Sequence, residues 1–202
     1  MKETPIFEEV FSQMVRLPGI WVKLLIGGLL SFVPIVNLLA FGYLYRVALG
    51  LRRSGRVTAP EWRDWQGLFF DGLRFAVVWL AYWLLPLILA GTVAWIFTEI
   101  SLGALANVFV LTVLLVSNLL FSSALYRFQT RGDFKDLCDV GLIFRMTWLE
   151  FPKLIVPSFF ILGVLVWLLP LYGLALFAGL FILIVYTGLR FLHIEQKRAR
   201  SF

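Results

Sequence analysis

The sequence predicts an all-α polytopic membrane protein built of three helical hairpins, six full or partial spans, with interfacial amphipathic helices. Three observations predict it. First, 61% of the 202 residues are apolar and 15% are charged, whereas a soluble domain runs at roughly 45–50% and about 25%. The mean hydropathy is +0.91. Second, residues 24–45 and 154–189 contain no Asp, Glu, Lys or Arg, and about 20 apolar residues cross a hydrocarbon core of roughly 30 Å. Third, the 18 Lys and Arg lie in four clusters around three apolar blocks: three in 1–23, six in 46–74, five in 127–153 and four in 190–202.

The chain reads as a single membrane domain, 1–202. Its first element, 4–18, is an interfacial helix: in PIFEEVFSQMV, Phe7, Val10, Phe11, Met14 and Val15 fall at helical spacing, and Glu8, Glu9, Ser12 and Gln13 fill the other face. The three glutamates and the lack of an apolar core before a cleavage site predict no cleavable signal peptide. The second element, 20–51, is the first apolar hairpin. As one tilted helix, residues 20–45 would be about 39 Å long. Turned back near Pro34 and Asn37, each limb would be near 22 Å, too short to cross. Such limbs make a re-entrant wedge or thin the bilayer.

Residues 60–74 form a second amphipathic helix, with Trp62, Trp65, Phe69 and Leu73 on one stripe. The block 75–126 is a hairpin split at Thr98–Glu–Ile–Ser–Leu–Gly103, with Glu99 its only charge. Residues 133–150 repeat the amphipathic pattern with Phe134, Leu137, Cys138, Gly141 and Phe144. The third hairpin, 154–192, follows. Its 36 charge-free residues would make a helix of about 54 Å, too long for one span. Pro170 and Gly173 mark its turn. A basic tail, 193–202, closes the chain.

The cations decide between one crossing and two in the outer blocks. If each block crossed once, the clusters of three and four would face one side and those of six and five the other. If each turns back, all lie on one side, which the positive-inside rule prefers. Both termini are then cytoplasmic. Arg46, Arg52, Arg53, Arg127 and Arg190, at the interface ends of the blocks, become candidate contacts for anionic headgroups. A local signature also recurs: Phe7–Glu–Glu9, Trp62–Arg–Asp64 and Phe134–Lys–Asp136. Each apolar block in turn ends in tyrosine and arginine: Tyr43, Tyr45 and Arg46; Tyr126 and Arg127; Tyr186 and Arg190. The sequence Trp–Leu–Leu–Pro occurs at 83–86 and 167–170. These mark a degenerate repeat of interfacial helix, apolar hairpin and Tyr/Arg stop.

Little in the chain suggests chemistry. His193 is the single histidine and Cys138 the single cysteine, so neither a disulfide nor a nucleophile–base pair is indicated. Cys138 reads as a half-buried small residue. Asp133, Asp136 and Asp139 share a helix face, but Arg131 and Lys135 beside them make that a solvated charged surface. No catalytic residue, metal site or cofactor is expected, and no nucleic-acid partner. Asn107, Asn118 and Ser122 form a polar stripe within the second hairpin, suited to hydrogen bonding between helices or to lining a pathway. Gly27 with Ser31, and Ala175 with Gly179, suit close packing within the chain or in a homo-oligomer.

The segments 21–55 and 59–86 resemble the prokaryotic membrane-protein family called domain of unknown function 4013. The resemblance rests on Gly27–Gly28, the apolar–Pro turn at Pro34, Gly42–Tyr43 with Arg46, Pro60–Glu61–Trp62 and Asp71–Gly72. Residues 126–146 resemble the family's second basic loop. The resemblance covers most of the chain and implies a prokaryotic membrane, with the bacterial inner membrane as the best fit. It implies no activity. The expected function is that of a non-enzymatic oligomeric channel or conduit. The alternative is a scaffold or accessory subunit that shapes or thins the bilayer and binds partner proteins.

Overall fold

The computed structural model describes residues 7–167 and 169–199. Every regular element among the described residues is helical. Among the described residues, three helices are long and apolar enough to cross a membrane: Trp65–Glu99, Gly103–Thr130 and Tyr172–Lys197. A fourth is added if the bent pair Phe7–Val15 and Ile20–Leu30 counts as one span. Where the sequence predicts a single domain, the chain packs as two compact units. Unit 1 comprises Met1–Ala76 with Phe160–Phe202, and unit 2 comprises Val77–Phe159.

In unit 1, α1 (Phe7–Val15) buries Val10 and Met14 and exposes Glu8, Glu9 and Gln13. It stops before Pro18 and Gly19; Gly19 has φ 67°, a left-handed conformation that glycine adopts without penalty. The next helix, α2 (Ile20–Leu30), leaves at 94° to α1. It ends where the Ser31 hydroxyl donates to the Gly27 carbonyl, 2.8 Å. A turn over 31–36 holds Pro34, and α3 (Asn37–Ser54) begins there. Asn37 is therefore the first residue of the returning helix rather than part of the turn. Its backbone N–H donates to the Val33 carbonyl, 3.0 Å. The helical run is thus broken over 31–36, the segment that holds Pro34. The final helix, α8 (Tyr172–Ala199), packs on α1, α2 and α3 and makes unit 1 discontinuous. Gly173 lies in the first turn of α8 and Pro170 in the short 3-10 turn Leu169–Leu171 before it.

Helix α4 (Trp65–Trp79) leads through a π-helical turn, Leu80–Leu84, into α5 (Leu85–Glu99). The turn has a cause in Pro86. Proline has no N–H to offer four residues back, and its ring crowds that carbonyl. The helix widens instead, and the Leu85 N–H bonds the Leu80 carbonyl five residues away. No separate helix occupies 60–74. The amphipathic pattern from Trp65 runs on because no breaker stands between it and the apolar run. The same happens later: after the 3-10 turn Phe134–Cys138, α7 (Val140–Trp167) is continuous, so 133–150 is not a separate helix either. Only the first amphipathic stretch, followed by Pro18 and Gly19, stands alone. The two Trp–Leu–Leu–Pro segments also differ, since Pro86 lies within a helix and Pro170 between two.

Unit 2 is centred on α6 (Gly103–Arg131), which packs along α5 and the π-helical turn. The turn between α5 and α6 carries Ser101 at φ 62°. Helix α6 ends at Gly132, φ 70°, whose N–H caps the Phe128 carbonyl at 2.8 Å, a left-handed C-terminal cap.

Candidate functional site

Of the residues that carry the family resemblance, Gly42, Tyr43, Arg46, Trp62, Asp71 and Gly72 meet in unit 1, where α3 crosses α4. A side-chain carbon at Gly42 would overlap the Leu68 carbonyl, and one at Gly72 would overlap the Leu38 carbonyl. The two backbones therefore touch, which only glycine permits. Three more glycines allow a close approach of α2 and α8. Gly27 faces the Phe177 ring, Gly28 faces Leu174, and Gly173 faces the Gly28 carbonyl and Phe32.

One turn beyond Gly42, Arg46 clamps the crossing. Its Nε donates to Asp71 Oδ2 at 2.8 Å, its Nη2 to Asp64 Oδ2 at 2.8 Å, and its Nη1 to the Arg63 carbonyl at 3.3 Å. Asp71 Oδ1 accepts from Arg74 at 3.3 Å. Asp64 also starts α4. It sits at φ 58° and its Oδ1 accepts the Gly67 N–H at 3.1 Å, the bond of an N-cap. The Arg46 hydrogen bond, and then the Gly67 N–H, hold the Asp64 carboxyl below its ordinary range. Above this network Trp62 stacks on buried Tyr43, with centroids 4.3 Å apart and planes 16° apart. Arg46 is thus a tie between helices, although its position suggests a headgroup contact.

The recurring triplets acquire a structural meaning. In unit 2, Asp136 of the third triplet pairs with Arg127 at 3.2 Å, and Phe134 packs on Phe128 at 5.0 Å. In unit 1, Asp64 pairs with Arg46 and Trp62 packs on Tyr43. The first triplet meets the last stop, with Phe7 edge-on to Tyr186 at 5.5 Å. Each aromatic of the signature lies against an aromatic ring of a longer helix, and the aspartates of the second and third triplets pair with an arginine of that same helix. The pairing partners stand 18 and nine residues apart in the chain, so spacing alone gives no sign of them.

The remaining candidates fall as follows. Arg190 is buried and Arg52 half-buried, leaving Arg53 as the exposed member of the five arginines. Asn107 is exposed on α6. Asn118 is buried, and its Oδ1 accepts the Trp83 indole N–H at 2.8 Å. The Ser122 hydroxyl donates to the Asn118 carbonyl at 2.9 Å. The stripe therefore splits: Asn118 joins α6 to the π-helical turn, Ser122 bonds back within α6, and Asn107 faces outward. Ser123 and Thr147, not singled out in the sequence, join α6 to α7 at 2.9 Å. The Tyr82 hydroxyl donates to the Leu137 carbonyl.

Asp133 and Asp139 accept backbone N–H groups of Lys135 and Leu142. With Asp136 paired to Arg127, the three acids do separate work. Among the described residues no group of three His, Cys, Asp or Glu could hold a metal. Cys138 is exposed, not half-buried, and His193 is half-buried in α8. The family model described as "Protein of unknown function (DUF4013)" matches residues 26–187, and the chain belongs to that family. No curated protein and no solved structure matches it.

Proposed function

We propose that this DUF4013 protein is a non-enzymatic membrane scaffold that shapes or thins the bilayer with its first hairpin. The observation that carries this reading is the length of the hairpin. Helix α2 has 11 residues, about 16 Å at 1.5 Å per residue. The apolar part of α3, 37–45, is about 14 Å long before Arg46 interrupts it. A hydrocarbon core is roughly 30 Å thick, so the limbs reach about halfway. The tip is apolar and open: Ile35 is 74% exposed and Val33 is exposed too. Trp21, Val22, Leu25 and Leu29 line the outer face of α2 and are likewise exposed, as lipid-facing residues are.

A wedge in one leaflet must be stiff to deform lipid, and the structure of unit 1 fits that need. The wedge is anchored at Gly27 and Gly28 on α8, at Gly42 on α4, and by the Arg46 ion pairs. Helix α1, at 94° to α2, suits the interface plane. The cation clusters support a cytoplasmic base for the wedge, cytoplasmic termini and an anionic bacterial inner membrane. A conduit lined by the polar stripe is the weaker reading, because Asn118 and Ser122 bond within unit 2.

Reconstitution tests the proposal. At rising protein density, vesicles of phosphatidylethanolamine and phosphatidylglycerol should become tubular or locally thin in cryo-electron micrographs, with no solute flux. In a Cys138→Ser background, Ile35→Cys should resist membrane-impermeant maleimide from both sides. Labelling of Ile35→Cys from the side opposite Ser54→Cys would show a complete crossing and overturn the wedge.

A further inference from the structure

We infer that the cleft at the elbow of α1 and α2 binds one acyl chain of an anionic phospholipid. The cleft holds about 190 Å³. Phe11, Met14 and Val15 of α1, Trp21 of α2, and Phe181 and Ile182 of α8 wall it, all within unit 1. If a methylene takes about the ~30 Å³ of a liquid water, roughly six fit. The lining is apolar throughout. A polypeptide laid there would bring N–H and C=O groups that nothing in the cleft could satisfy. A hydrocarbon chain brings none.

The elbow also sets the depth and the charge. A one-sided helix such as α1 lies at the boundary of headgroups and acyl chains, its apolar face about 5–10 Å deep. Phe11, Met14 and Val15 of that helix wall the cleft, so an interfacial α1 sets it at the depth where acyl chains begin. Arg16 follows Val15 directly, is exposed, and has no side-chain hydrogen bond or ion pair among the described residues. Lys23, the next cation along the chain, is already bonded to the Ala59 carbonyl at 2.6 Å. An exposed cation one residue from the wall of an apolar slot complements a phosphate joined to an acyl tail.

The inference rests on α1 lying in the interface, as proposed above. The test uses the full chain in vesicles carrying phosphatidylglycerol, or phosphatidylcholine, with a diazirine in one acyl chain, and maps adducts by peptide mass spectrometry. Adducts are expected on Met14, Phe181 and Ile182, about threefold or more above the phosphatidylcholine level with phosphatidylglycerol. Arg16→Gln should remove that preference. Ala178→Phe, which fills the cleft, should cut these adducts about fivefold or more and leave those on Leu25 and Leu29 unchanged. If Ala178→Phe lowers the thermal midpoint, Val15→Trp at the rim makes the same test. Adducts on Leu25 and Leu29 with none in the cleft would overturn the inference while leaving the wedge standing. Crosslinks joining two chains through the cleft would assign it to self-association instead. Absence of adducts anywhere over 7–30, with adducts on α5 and α6, would overturn the interfacial placement together with the inference.

Discussion

At Gly42 and Gly72 the backbones of α3 and α4 meet, and a single methyl has nowhere to go. The neighbour in each case is a main-chain carbonyl, so relief requires moving a whole helix. Gly42→Ala should lower stability by about 3 kcal/mol, the upper end of overpacking penalties, read as a drop in thermal midpoint in detergent. Gly42→Ala with Gly72→Ala should be less than additive, because the first methyl has already forced the helices apart. Asp64 has its carboxyl held below the ordinary carboxylate range by Arg46 and then Gly67. A depressed carboxyl stabilises the fold above its unfolded value of about 3.9, and this support is lost as pH falls through the lower folded value. Arg46→Gln should flatten that acid limb of the stability curve below about pH 4, in pH-resolved thermal melts. Asn118→Leu should cost about 1 kcal/mol through the lost Trp83 bond and leave liposome flux unaltered. The glycines, tyrosines and arginines of this crossing are visible in the sequence as a resemblance. Their pairing is not: Arg46 at the end of an apolar run looks like an interface cation until the fold brings Asp64 and Asp71 to it.

The same contrast holds for whole elements. The turn at Pro34 is legible because a proline breaks a charge-free run. The merging of 60–74 with the span after it is not, because a 3.6-residue period reports which face is apolar and says nothing of where an axis bends. Breakers decide that, and only the first amphipathic stretch is followed by Pro18 and Gly19. Pro86 ends no helix, because the π-helical turn absorbs it. In the wedge tip, Ile35 sits at φ 71°, where a β-branched residue is strained by roughly 1–2 kcal/mol. Its side chain is 74% exposed, so little packing is lost on truncation. Ile35→Gly should raise the thermal midpoint, by an amount worth about 1 kcal/mol; a lower midpoint would mean that the tip side chain contributes contacts of its own.

For the molecule as a whole, charge and hydropathy carry most of what the sequence can tell. They indicate a helical membrane protein because lipid leaves a chain few other options. The division into two compact units is invisible to them, since it depends on α8 returning to pack on α1, α2 and α3. The shared-side topology is checked with Ser54→Cys and Lys197→Cys in a Cys138→Ser background. Both should react with an impermeant maleimide only from the cytoplasmic face, and periplasmic labelling of either one alone would break the arrangement.

That discontinuous unit has a consequence for synthesis. The glycine face of α2 is made early, but the Phe177 and Leu174 side chains that cover Gly27 and Gly28 leave the ribosome about 150 residues later, ~8–30 s at about 5–20 residues per second. Unit 2 lies wholly between them, so it can fold while the wedge waits. During that interval the α2–α3 segment is unfinished, its glycines bare of the side chains that later cover them. Substitutions that slow the arrival of α8 should therefore shorten the life of the nascent chain even where the finished protein is fully stable.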